Sequence, residues 1–187
     1  WVADAEEMFD FVRFMRSTGL RVGECLALRA RDVRVFTDKA TFAGKTANLE
    51  VCGIRVVRGK RGAHPECKSD PGAAAILKRI IARRGIQNPA TSDEPLFLKH
   101  HRDMFRELLV RHSLHVDPYG RKRDFVSLRH TYICRKLEQG VPVWEVARNT
   151  RTSVAVIEQH YAKNLPVSGA LLNQFDYELI EPETLSS

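Results

Sequence analysis

The chain has 187 residues, 43% of them hydrophobic and 28% charged, and its 30 lysines and arginines against 23 acidic residues leave a net charge of +7. That length suits one well-cored domain, and the balance of apolar and charged residues excludes a disordered or low-complexity chain. The positive excess fits a polyanionic partner such as nucleic acid, or plain surface basicity, and no stretch is long and apolar enough to span a bilayer.

Residues 1–16 carry an acidic-to-amphipathic pattern, unlike a signal peptide. Met8, Phe11, Val12 and Met15 recur at helical spacing, and Ser17-Thr18-Gly19 punctuates the end of that helix. A second helix starts near Arg21, with Val22, Cys25 and Leu26 on its core side and Arg21 in its first turn, where backbone donors favour an anion. From Asp32 to Val57 the pattern becomes short β-prone runs, 33–36, 41–42 and 49–57, broken by Asp38, Gly44 and Asn48, which predicts a small antiparallel sheet. Arg58-Gly59-Lys60-Arg61-Gly62 then reads as a basic turn leaving that sheet, shaped to enter a groove.

Pro71 opens the next helix, which buries Ala74, Leu77, Ile80 and Ile81 and stops at Gly85. Residues 86–95 form a loop, 96–98 a short strand or extended run, and Met104, Phe105, Leu108 and Leu109 another amphipathic helix. Pro118 to Arg123 supply a second basic turn. Ser127 is placed to cap a helix holding Leu128, Tyr132 and Leu137 and closed by Gly140; Pro142 opens one with Val143, Val146 and Ala147; Val154, Ile157 and Tyr161 mark a third. Residues 170–175 allow a further helix in the tail. The fold class expected is α+β, mostly α-helical with a small antiparallel sheet.

Cys25, Cys52, Cys67 and Cys134 are scattered, which predicts reduced thiols in an intracellular setting rather than a disulfide framework, and no cysteine or histidine stands at zinc-ligand spacing. No metal site and no cofactor are expected. The chemistry concentrates in three separated segments: TGLRVGECLALRARDV around Arg21, SLRHTY around Arg129 and TSVAVIEQHYAK around Tyr161. Two guanidinium groups match the non-bridging oxygens of a phosphodiester and stay charged, while a tyrosine hydroxyl can hold a covalent phosphoryl intermediate.

These segments, in this order and spacing over residues 1–164, resemble the catalytic domain of the tyrosine recombinases, the phage integrase family. TGLRVGECLALRARDV is similar to the family's first arginine box, carrying Arg21 and the supporting Glu24. VRGKRG is similar to the turn carrying the family lysine, here Lys60, and SLRHTY and IEQHYAK to the segments carrying Arg129 and the nucleophile Tyr161. The resemblance implies the DNA breaking-rejoining fold. It further implies attack by Tyr161 on double-stranded DNA to give a 3′-phosphotyrosyl link, an arginine clamp, and Lys60 as general acid toward the leaving 5′-oxygen. No nucleotide cofactor is needed, because the intermediate conserves the bond.

Two positions depart from the family pattern. Val126 stands where the family usually has a histidine, three residues before the second arginine, and Thr152 where it usually has histidine or tryptophan, nine residues before the nucleophile. Some integrase branches read TSV there as this chain does. The free phenol has a pKa of about 10, so an acceptor is needed, and His130 is the expected partial substitute. His160 adjoins Tyr161, but neighbouring helix positions point about 100° apart, so neither histidine is automatically in the site. Thr152 reads as a phosphate donor or a helix cap, and Val126 as packing.

Arg58, Arg61, Arg121, Lys122 and Arg123 are expected to contact the DNA backbone, as is the basic face of Arg79, Arg83 and Arg84. His64, His100, His101, His112 and His115 are expected on loops or polar faces. The resemblance also implies a homotetramer on synapsed DNA, weak or no self-association when free, and a cytoplasmic, DNA-associated protein of bacterial or phage origin. Residues 165–187 would pack in cis or on a neighbouring protomer. The helical core-binding domain that precedes the catalytic domain in such enzymes is absent from this chain, which is expected to be a fragment. Two readings without chemistry stand beside this one: a recombinase-derived DNA-binding domain, and a helix-turn-helix reader built from PVWEVARNTRTSVAVIEQHY.

Overall fold

A computed structural model describes residues 2–42, 45–56 and 66–161. Helices dominate these residues: α1 (Val2–Thr18), α2 (Val22–Ala27), α3 (Gly72–Arg84), α4 (Arg102–Arg111), α5 (Phe125–Glu138), α6 (Val143–Thr150) and α7 (Val154–Tyr161). Between α2 and α3 lies a three-stranded antiparallel sheet in the order β1 (Val33–Phe42), β2 (Lys45–Ile54), β3 (Cys67–Lys68).

The apolar stripe of α1 places Phe11, Phe14 and Met15 at the centre of the main core, where they meet Leu20, Leu77, Ile80, Leu96 and Phe97. Phe11 sets its ring edge-on to Phe97 and Phe125, 5.0 Å from each, and Phe105 stacks on Phe125 at 4.4 Å. Such contacts fix ring orientation beyond the area they bury. Asp10, also on α1, is fully buried, and it is neutralised by Arg79 and Arg83 of α3. Arg84 donates to the carbonyl of Pro95 at 2.6 Å. The basic face expected on α3 for DNA therefore ties α3 to α1 and to the 95–97 segment instead. A charge buried as deeply as Asp10 is tolerable only with such partners.

The sheet differs from the sequence expectation in length. β1 and β2 pair without interruption from Val33↔Ile54 to Phe42↔Lys45, with Asp38 opposite Leu49 and Asn48 opposite Lys39. Their side chains lie on the exposed outer half of the hairpin, where a polar residue costs a strand little, and Asp38 binds the Lys68 ammonium at 2.7 Å. Residues 96–98 form no strand. They run extended beside the α2–β1 connection, with Leu96 donating to the carbonyl of Leu28 at 3.0 Å. His101 is buried and faces Glu7 at 3.3 Å, in place of the polar surface expected for it.

The start of α5 also shifts. Asp124 is the cap, its carboxylate accepting from the backbone N–H of Val126 at 2.8 Å and of Ser127 at 3.4 Å, while Ser127 Oγ accepts in return from the N–H of Asp124 at 3.1 Å. Ser127 thus sits one turn inside the helix as the reciprocal half of a capping box. α5 belongs to two cores: Phe125 and Leu128 join the main one, and Tyr132 and Ile133 join a second with Val146, Ala147, Ile157 and Tyr161 of α6 and α7. Asn149 of α6 pins this second unit to the sheet: its carboxamide accepts from the N–H of Lys68 at 2.8 Å, donates to the carbonyl of Lys68 at 2.9 Å, and donates to the Tyr132 hydroxyl at 2.9 Å.

Candidate active site

Arg129 lies on α5 between the residues that join the two cores, and its guanidinium is consequently buried. It donates to the carbonyl of Gly19 and to the carbonyl of Thr150, each at 2.5 Å. Gly19 can present that carbonyl because it takes a left-handed conformation, φ 65°, and because a Cβ there would stand 2.4 Å from the Tyr132 ring. Burial first, then the charges of Arg21 and Arg151, lower the Arg129 pKa to about 10, so it remains protonated at neutral pH. Two of its five N–H donors are used among the described residues.

Arg21 stands just before α2 in extended backbone, one position ahead of the first helical turn predicted for it. Its side chain is 48% exposed, and it donates to Glu24 Oε1 at 2.8 Å and to the carbonyl of Arg151 at 2.9 Å. Glu24 is buried and saturated. Its carboxylate takes the Arg21 backbone N–H at 2.8 Å and the Arg151 guanidinium at 2.7 and 3.2 Å besides the Arg21 side chain. Burial alone would raise the Glu24 pKa, but the hydrogen bonds and charge of Arg151, together with Arg21, overcome it and hold the carboxyl at about 2.

Tyr161 is the last residue described in α7, and its ring is buried in the second core. Its hydroxyl is hydrogen-bonded to Nδ1 of His130, the rings tilted at 40° with centroids 5.4 Å apart. Burial raises the Tyr161 pKa above that of a free phenol, opposed by the charge of Arg129. His130 is pushed the other way: burial, then the neighbouring Arg129, lower its pKa from the ordinary histidine value, which favours the neutral imidazole.

These groups face a single cavity of about 520 Å³, lined by Arg21, Arg129, His130, Thr152, His160 and Tyr161 together with the apolar Val22, Val126 and Val156. Val126 is 49% exposed at this wall, so it is not the packing residue expected from the sequence. Thr152 reaches the cavity wall, while the α7 start is capped by Ser153, whose Oγ accepts from the N–H of Val156 at 3.3 Å. His160 lines the same cavity as His130, and the Tyr161 hydroxyl is bonded to His130. Lys60, Arg58 and Arg61 lie outside the described residues, as do His64 and the tail from residue 162. Arg121, Lys122 and Arg123 are exposed on the turn before α5, with Arg121 held to Asp117 at 2.6 Å and stacked over Tyr119.

Arg151 escaped the sequence reading. It follows the α6 pattern without interruption, at a position where a helix C-terminus usually carries glycine in left-handed backbone, and this arginine has φ 55°. Among the described residues no group of three or more histidine, cysteine, aspartate or glutamate side chains stands where it could hold a metal ion, and no helix is long and apolar enough to cross a membrane.

No protein-family model matches the chain, and no curated protein matches it. Solved structures do. The Tn1549 transposon integrase in complex with transposon right end DNA superposes with a TM-score of 0.58 at 17% identity, over 89% of this chain and 57% of that one. The XerH site-specific recombinase bound to difH substrate in a pre-cleavage complex gives 0.56 at 13% identity, over 88% and 44%, and the XerA recombinase 0.57 at 18%, over 92% and 58%. The chain has the tyrosine recombinase catalytic fold. It spans between 44% and 58% of the length of these recombinases, and the likeness is one of fold, with seven helices and one small sheet among the described residues.

Proposed function

We propose that the chain is the catalytic domain of a site-specific DNA recombinase that breaks and rejoins strands through a 3′-phosphotyrosyl intermediate. The observation that carries this reading is the convergence of Arg21, Arg129, His130 and Tyr161 on one cavity within the recombinase fold. A scissile phosphate between Arg129 and Arg21 would meet their unused N–H donors, which oppose the charge that grows on the non-bridging oxygens in the transition state. Tyr161 Oη attacks phosphorus, its proton passing to Nδ1 of neutral His130, and the P–O bond to the 5′-oxygen breaks. Lys60 is proposed as the acid that protonates that oxygen. A second 5′-hydroxyl then attacks the phosphotyrosine, giving its proton to Lys60, while the bond from phosphorus to Tyr161 Oη breaks and Oη takes back its proton from His130.

DNA is the proposed partner, consistent with the net charge of +7 and with the DNA-bound states of the Tn1549 integrase and XerH. Assembly as a homotetramer on synapsed DNA is part of the same proposal. A helix-turn-helix regulator would leave unexplained why the turn between α6 and α7 spends its carbonyls on Arg129 and Arg21. A nicked suicide substrate tests the reading. The protein should become covalently linked to its 3′-phosphate, and Tyr161→Phe should not; if neither is trapped, the domain binds DNA without chemistry.

A further inference from the structure

We infer that Arg151 is a positioning residue for the phosphate clamp: its side chain fixes Glu24, and its backbone carbonyl fixes Arg21, so that both arginines of the clamp are oriented by one short turn. The inference rests on the recombinase reading and adds to it a residue that the sequence motifs do not mark.

The turn at the end of α6 offers two successive carbonyls, Thr150 to Arg129 and Arg151 to Arg21. Those carbonyls are unpaired within the helix and carry the negative end of its dipole, which suits guanidinium donors. The turn that aims them contains a non-glycine residue in left-handed backbone, a conformation that persists only where surrounding contacts determine it. The Arg151 side chain supplies such contacts in three directions. It grips Glu24 at 2.7 and 3.2 Å, touches Cys67 Sγ on β3 at 2.9 Å, and donates to the carbonyl of Asn149 at 3.0 Å. One buried side chain therefore joins α2, which begins beside Arg21, to the strand that resumes after the Lys60 segment and to the turn leading into the Tyr161 helix.

The charge distribution gives this arrangement a purpose beyond packing. With Arg21 alone, the Glu24 carboxylate would be neutralised by the very guanidinium needed for phosphate. With Arg151 as its deeper, bidentate partner, Glu24 holds Arg21 in place while leaving positive potential toward the cavity.

The test is single-turnover cleavage of the nicked suicide substrate, with DNA affinity measured separately on the same proteins. Arg151→Gly suits the left-handed backbone and so keeps the turn while deleting the side chain. It should lower the cleavage rate at saturating DNA by up to about 100-fold, as misplacement of a reacting group does, with DNA affinity nearly unchanged. Adding Glu24→Gln to Arg151→Gly removes the charge left unopposed and should recover part of the rate. Arg151→Lys should fall between, because an ammonium cannot bridge both carboxylate oxygens in the same plane. Parental cleavage by Arg151→Gly would overturn the inference, as would a parallel loss of affinity and rate that Glu24→Gln does not relieve. Failure of the parent itself to form the covalent complex would instead overturn the recombinase reading.

Discussion

The pairing of His130 with Tyr161 determines how the proposed nucleophile loses its proton. Burial raises the phenol and lowers the imidazole, so the hydroxyl is a donor and neutral Nδ1 an acceptor over the neutral range. Arg129 acts on the two in opposite senses: its charge favours phenolate, which helps transfer, and disfavours imidazolium, which keeps His130 free to accept but weakens it as a base. The cleavage rate should therefore hold through the neutral range and decline only in more acidic solution than an ordinary histidine would require, where His130 protonates and its acceptor is lost. His130→Ala should cost roughly 100-fold or more at neutral pH and shift the profile upward toward the titration of the phenol itself. A single-turnover pH series on both proteins checks this, and an unchanged rate in His130→Ala would remove the histidine from the mechanism. Val126, at the position of the customary histidine, then forms cavity wall without a proton to exchange.

At the scale of elements, the clamp depends on how α1 ends. Gly19 stops α1, gives its carbonyl to Arg129 and lets the Tyr132 ring approach where a Cβ would collide. Gly19→Ala should cost roughly 1–2 kcal/mol for the backbone conformation alone, with the collision added. The melting temperature should drop by several degrees, and cleavage should fall further than the loss of folded protein explains. Equal melting and equal cleavage would show that the Gly19 carbonyl is dispensable. The helices were legible because their apolar stripes repeat at helical spacing and because Gly19, Gly85 and Gly140 punctuate them. The site was legible as three motifs, since Arg21, Arg129 and Tyr161 each sit in a recognisable local pattern. What the pattern could not convey is partnership between distant backbone groups: Asp124 replaces Ser127 as cap, Asp10 draws in Arg79 and Arg83, and Arg151 reaches Glu24 across 127 positions. Nor does residue pattern show that His130, one residue beyond Arg129, turns to Tyr161 rather than to solvent; only the placement of α7 against α5 decides it.

For the molecule as a whole, the surplus of positive charge is not a uniform field. Arg79, Arg83 and Arg84 serve internal contacts, and Arg121 is paired with Asp117, whereas among the described residues Lys122 and Arg123 form no ion pair. If these two meet phosphates, replacing both by alanine should reduce the slope of log affinity against log salt by about 2, at roughly 0.9 per phosphate contact. A titration of DNA affinity at several salt concentrations measures it, and an unchanged slope would exclude this turn from the DNA surface. The carboxamide of Asn149 carries a different consequence. By offering Lys68 one acceptor and one donor, it stands in for the backbone of a fourth strand. The free edge of β3 is thereby closed with a side chain, so the sheet ends where the second helical unit begins and offers no template there for pairing with another copy of the chain.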